Sequence, residues 1–219
     1  MQTTGNGASA GGSLVALAQI GEQLRSALGV KHAARDAALA QSRALVRFCA
    51  NAIRAIHREE RAEAQLLLGE ARIAAAAMCA AVAAFPDLFH AGYTQDGLKE
   101  LVEASVLLAL AADEPIPAHT QLGVEPATYL NGLAEAATEL RRRILDLMRH
   151  EHSAEAERLL DAMDEIYSLL VTVDYPDAIT GGLRRSTDVL RGVLERTRGD
   201  LTTSMRQQRL QDLLAKTGA

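Results

Sequence analysis

The sequence predicts an all-α protein, and three observations carry that reading. Hydrophobic residues make up 48% of the 219 positions and are dominated by Ala and Leu, both strong helix formers. Only 3% of residues are aromatic, none is Trp, and alternating β-branched runs are scarce. Pro86, Pro115, Pro117, Pro126 and Pro176 punctuate the chain and leave long Pro-free stretches between them. Ala-rich faces let helices approach closely but bury little apolar area each, so the chain is expected to oligomerise.

The elements follow in order. Residues 1–12 read as a disordered tail, and residues 13–219 as a single all-α domain. An amphipathic helix is expected from Leu14 to Leu28, ended by Gly29. Lys31 to Ala84 then reads as one or two helices with a weak point near Gly69. Pro86 stops that stretch. A largely apolar helix is expected from about Gln95 to Ala112, ending at Asp113-Glu114-Pro115. A loop spans Ala118–Glu125, and Pro126 opens the next helix, which reaches Arg149. His150-Glu151-His152 reads as a turn, with Ser153 capping a helix to Val173. Tyr175-Pro176-Asp177 interrupts, and a last helix runs from Gly182 to Leu214.

A net charge of −5 argues against an openly basic surface but permits local basic patches. Cys49 and Cys79 lack metal-ligand spacing and read as small core residues of a reduced, cytoplasmic protein. No signal peptide is visible, and the apolar run from Ala104 to Ala112 is too short to span a bilayer, so no membrane partner is expected.

Glu100 and Glu103 carry the first chemical signal. Three residues apart, they share one face of a helix whose other directions are Leu, Val and Ala. Carboxylates in such a setting require a cation, since burying one unpaired costs several kcal/mol or forces protonation. Glu135 and Glu139 form a second pair on the helix after Pro126, beside the small residues Gly132, Ala134, Ala136 and Ala137. Four convergent carboxylates without Cys or His suit Mg²⁺, with Mn²⁺ as the alternative. The competing reading is ordinary ion pairing with Lys99, Arg141, Arg142 or Arg143.

A basic stripe is the second signal. On one continuous helix, Arg43, Arg47, Arg54, Arg58 and Arg61 fall within roughly 60° of one another, while Leu45, Cys49, Ala52 and Ile56 face the core. Glu59 and Glu60 point away from it. Such a row of planar guanidinium forks suits a phosphate backbone. On the last helix, Arg184, Arg191 and Arg198 align with Asp188 and Glu195, so that face reads as local ion pairing.

The stretch Gly97-Leu98-Lys99-Glu100-Leu101-Val102-Glu103-Ala104 resembles the hallmark Gly-Leu-Gln-Glu-Tyr-Val-Glu-Ala of the translin superfamily, in its Trax (translin-associated factor X) branch. Tyr129-Leu130-Asn131-Gly132-Leu133-Ala134-Glu135 is similar to that branch's Tyr-Leu-Leu-Gly-Val-Ala-Asp, with Glu139 on the Glu four residues later. Ser42-Arg43, Ile53, His57-Arg58 and Tyr175-Pro176-Asp177-Ala178-Ile179 extend the likeness, which covers about residue 30 to residue 205. The resemblance implies a protomer of about seven helices in a closed octamer that holds RNA inside. It also implies Mg²⁺-dependent endoribonuclease activity, with Glu100, Glu103 and Glu135 as metal ligands and Glu139 as a further catalytic carboxylate. Two positions depart from the pattern: Glu135 replaces an Asp and Lys99 replaces a Gln.

The expected reaction is metal-assisted hydrolysis of single-stranded RNA, the arginine stripe holding the backbone without reading bases. A non-catalytic oligomer binding single-stranded RNA or DNA is the first alternative. An all-α nucleotide pyrophosphohydrolase is the second; that class uses Glu-x-x-Glu followed by Glu-x-x-Asp on the next helix, and the second element is only partly matched by Glu135-x-x-x-Glu139.

Overall fold

A computed structural model describes residues 8–150 and 153–217. Among these residues there is no strand, and nine helices follow one another. They are α1 (Ala8–His57), α2 (Arg61–Val82), α3 (Pro86–Phe89), α4 (Gly92–Ala111), α5 (His119–Leu122), α6 (Pro126–Arg149), α7 (Ser153–Leu170), α8 (Asp177–Thr180) and α9 (Leu183–Thr217). The six long helices build the body, and α3, α5 and α8 are single turns in the connections. Helix α4 packs against α1, α2 and α6, and α6 packs against α4, α7 and α9. The core therefore centres on α4 and α6.

Two breaks expected at glycines are absent. Helix α1 runs through Gly29 and α2 through Gly69. A glycine costs a helix only about 1 kcal/mol, and Ala- and Leu-rich flanks absorb that cost. The real break lies at Arg58-Glu59-Glu60, where no glycine stands. Glu59 takes a left-handed φ of 62°, while the Glu60 N–H donates to Ala55 O and the Glu59 N–H to Ile56 O. This paired closure satisfies the last carbonyls of α1. Asp113, at φ 56°, closes α4 in the same way through Glu114 N–H to Ala109 O.

Part of the tail expected over residues 1–12 is helical, because α1 starts at Ala8; residues 1–7 lie outside the described residues. From Leu14 to Leu28 the large apolar side chains of α1 are exposed, between 51% and 66% each. Pro126 opens α6 as expected. Of the expected turn, His150 follows α6 directly, and Glu151 and His152 lie outside the described residues. Two of the ion pairs expected on the last helix form, Arg191 with Asp188 at 3.3 Å and Arg198 with Glu195 at 3.0 Å, whereas Arg184 pairs with Asp174 ahead of that helix at 3.6 Å. By length and a mean hydropathy of 1.4, α2 is the one described helix apolar enough to cross a membrane. Its Ala64, Leu68, Ala71, Met78 and Val82 are packed into the core, whereas Leu66 and Ile73 are exposed.

Two glycines set how close α4 lies to its neighbours. A Cβ at Gly97 would sit 3.2 Å from Leu45 Cδ2 and 3.3 Å from Ser42 Oγ, both on α1. A Cβ at Gly132 would sit 2.6 Å from Val102 Cβ and 2.8 Å from Lys99 O, inside contact distance. Gly132→Ala is therefore expected to cost about 1–3 kcal/mol by overpacking. Gly69→Ala, with no atom within 4 Å of the new Cβ, is expected to gain about 0.5–1 kcal/mol from helix propensity. Thermal or urea unfolding followed by circular dichroism checks both, and equal effects at the two sites would reject the close α4–α6 contact.

Candidate metal centre

Helix α4 carries its carboxylates at the contact the two glycines create. Ser42 Oγ donates to Tyr93 O at 2.7 Å and ties α1 to the start of α4. About one turn after Gly97 comes Glu100 and nearly two turns after it Glu103, and about one turn after Gly132 comes Glu135. One oxygen from each of Glu100, Glu103 and Glu135 lies within 4.8 Å of the others, and all three residues are half-buried. Two of the three come from the first predicted pair and one from the second.

Glu139, the fourth predicted site residue, stands apart from that set. His57 Nε2 donates to Glu139 Oε1 at 2.7 Å, and the ring is almost wholly enclosed, its side chain 3% exposed. Glu103, Glu135, Thr138 and Glu139 share a cleft of about 300 Å³ with Arg185 and Ser186 of α9. A second groove of about 550 Å³ adjoins it, sharing Glu135, Arg185 and Ser186 and adding Gln95 and Lys99. The sequence marks His57 only through its place in the His57-Arg58 likeness, and Arg185 only as a cation with no acidic neighbour on its helix face. Neither is assigned to the site from sequence, and the partner of His57 lies 82 positions away. Arg185 has no ion pair among the described residues.

The charge balance is lopsided. Lys99 Nζ lies 2.7 Å from Glu135 Oε1. No other cationic side chain bonds to Glu100, Glu103 or Glu135 among the described residues. The pairing expected from Arg141 and Arg143 goes elsewhere: Arg141 binds Asp200 at 2.7 Å and Arg143 binds Glu155 at 2.7 Å. Burial, reinforced by the charges of Glu100, Glu135 and Glu139, pushes the Glu103 carboxyl up to about 8. Burial and then Glu135 raise Glu100 as well. On α1, burial followed by the charges of Glu100 and Glu103 pushes the Cys49 thiol up to about 12. Burial alone would lower the Lys99 ammonium, but its bond and attraction to Glu135 outweigh that and raise it. An all-oxygen donor set with surplus negative charge, held on two rigid helices, fits a hard divalent cation.

The basic stripe is shorter than expected. Helix α1 ends at His57, so Arg58 sits in the turn and binds Glu60 at 2.5 Å, while Arg61 opens α2 and pairs with Glu114. Glu60, expected to point away, is thus a partner of the stripe. Arg43, Arg47 and Arg54 remain exposed on α1. Arg43 has no ion pair among the described residues, Arg47 lies over the Phe48 ring at 5.4 Å, and Arg54 donates to Asn51 Oδ1. These three lie about 120–160° around the helix axis from Cys49, on the side of α1 away from the carboxylates.

No family model matches the chain. An uncharacterized protein of Methanocaldococcus jannaschii is 33% identical over 191 residues, spanning 86% of this chain and 84% of that protein. AfC3PO, solved as a complex with duplex RNA, is similar with a TM-score of 0.75 at 32% identity, covering 85% of this chain and 96% of its own. A crystal structure of AfC3PO gives 0.77 at 30% identity, covering 85% and 97%. The apo form of NeC3PO gives 0.74 at 19% identity, covering 86% and 96%, a likeness of fold.

The perturbed Glu103 makes a pH prediction. Folded, it holds its proton up to about pH 8, whereas the ordinary value is 4.5. Its contribution to stability is complete at low pH and is lost as pH rises through that window. In chelator-containing buffer the melting temperature is expected to fall from pH 4.5 to pH 8. Glu103→Gln is expected to flatten that fall. A wild-type profile that is level or rising across the window would contradict the enclosed, unneutralised carboxyl.

Proposed function

This chain belongs to the translin superfamily, and on that premise we propose that it is a metal-dependent endoribonuclease acting as a homo-oligomer. The observation that carries the reading is the three-carboxylate cluster in a half-buried cleft with one ammonium to balance it. The AfC3PO complex with duplex RNA, from a protein 32% identical to this one, supports RNA as the ligand. Single-stranded RNA is the proposed substrate, and duplex RNA is the competitor to assay beside it. The exposed apolar face of α1 between Leu14 and Leu28 supports self-association, with an octamer as the proposed state. Unpaired Cys49 and Cys79 accord with a reducing, cytoplasmic setting.

Glu100, Glu103 and Glu135 would hold Mg²⁺ or Mn²⁺. The ion, when bound, supplies a Lewis acid for a phosphoryl oxygen and lowers the pKa of a coordinated water. Glu139, oriented by the His57 ring, stands in the cleft wall where it can take a proton from an attacking water. Arg185, which lines the same cleft from α9 and has no carboxylate partner among the described residues, would bind the phosphodiester. Arg43, Arg47 and Arg54 bind backbone phosphates away from the cluster and read no bases.

The test is cleavage of end-labelled RNA, single-stranded and duplex, with Mg²⁺ against EDTA. Wild type is expected to cut only with Mg²⁺, and Glu103→Gln is expected to lose roughly 10²–10³-fold in rate while still binding RNA. Binding without cleavage under every metal condition would leave only an RNA-binding oligomer. Replacing Arg43, Arg47 and Arg54 together by Ala is expected to weaken RNA binding and to lower the slope of log affinity against log salt by about 2. An unchanged slope, read by filter binding across a salt series, would remove the stripe from the interface.

A further inference from the structure

Lys99 is the one cation bonded to the carboxylate cluster among the described residues, and it reaches across the α4–α6 contact to do so. It precedes Glu100 directly, and the charges of Glu135, Asp96 and Glu100 all attract its ammonium. Both side chains of the pair are partly open to solvent, Lys99 at 24% and Glu135 at 36%. Lys99 also lines the groove beside the cleft, together with Gln95 and Arg185. Its ammonium therefore has a route away from Glu135 that needs no backbone movement, because the four-carbon stem is flexible.

Resting on the metal site proposed above, we infer that Lys99 is the resident counter-ion of the cluster, that a divalent cation takes Glu135 from it, and that the released ammonium binds RNA phosphate in the adjoining groove. The physical reason is repulsion. A doubly charged ion on Glu100, Glu103 and Glu135 would lie within a few Å of an ammonium whose nitrogen is 2.7 Å from Glu135. Like charges that close repel strongly at any protein dielectric. One must yield, and the flexible one is Lys99. A neutral side chain at this position would impose no such competition and would leave one phosphate contact fewer. The two departures from the resembled family pattern, Lys99 and Glu135, are thus bonded to each other: the longer carboxylate meets a cation that stands in place of a neutral amide.

Two measurements on the full-length chain test this. Mn²⁺ titration by electron paramagnetic resonance is expected to give about ten-fold tighter binding for Lys99→Gln than for wild type. Acylation of Lys99 in wild type, quantified by peptide mass spectrometry, is expected to rise several-fold when Mn²⁺ is added and to fall again when RNA follows. The second measurement needs no variant and decides the matter if Lys99→Gln fails to fold. Equal or weaker Mn²⁺ binding by a folded Lys99→Gln, or Lys99 acylation unmoved by Mn²⁺, overturns the inference and leaves the nuclease proposal standing. Absence of Mn²⁺ binding in both chains overturns the inference and the metal site together.

Discussion

The rest of the structure depends on one contact, the approach of α6 to α4 at Gly132. With the site of a missing Cβ only 2.6 Å from Val102 Cβ and 2.8 Å from the Lys99 carbonyl, the two helices touch backbone to side chain. Glu135, about one turn beyond the contact, then arrives opposite Glu100 and Glu103, which lie about one and nearly two turns beyond Gly97. Any larger residue at 132 would push the helices apart and separate the carboxylates. Packing and chemistry are thus the same constraint here. The small residues that make a poor core by area make a good one by proximity.

That proximity has an energetic cost, which is visible in the electrostatics. Three carboxylates within 4.8 Å face a single ammonium, and Glu103 responds by holding its proton to about pH 8. A fold selected for stability alone would place Leu or Ala at these positions, as the rest of α4 does. Local violations of this kind mark functional sites, where strain is offset by packing elsewhere. The offset here is the apolar remainder of α4, whose Leu101, Val102, Val106 and Leu107 are almost wholly enclosed.

How much of this was legible in the sequence depends on the range of the interaction. Glu100 and Glu103, three apart, and Pro126 as a helix opener are local signals, and both stand in the structure. The all-α class followed from composition, which sums over the whole chain. Gly29 and Gly69 misled because the cost of one glycine is small against the helix propensity of the Ala- and Leu-rich residues around it. The break at Glu59 was illegible, since a left-handed Glu has no sequence signature and is held by the closing bonds to Ala55 and Ile56. Two bonds that define the site, His57 to Glu139 and Lys99 to Glu135, join residues 82 and 36 positions apart. Only the packing of α1, α4 and α6 brings them together.

The stripe on α1 shows how one misplaced boundary propagates. Projected on a continuous helix, five arginines shared a face; with α1 ending at His57, two of them turn to Glu60 and Glu114. The three that remain lie on the side of α1 opposite Cys49, and Cys49 feels the charges of Glu100 and Glu103. A straight strand bound at Arg43, Arg47 and Arg54, as proposed, would therefore run along the far side of α1 from the carboxylates of its own protomer. If one RNA uses both surfaces without wrapping around the helix, the stripe and the cluster it meets belong to different protomers. Self-association would then be part of the site itself, because it alone brings a guanidinium row and a carboxylate cluster to the same strand. In an acidic chain this arrangement also keeps the basic surface apart from the carboxylates that would otherwise neutralise it.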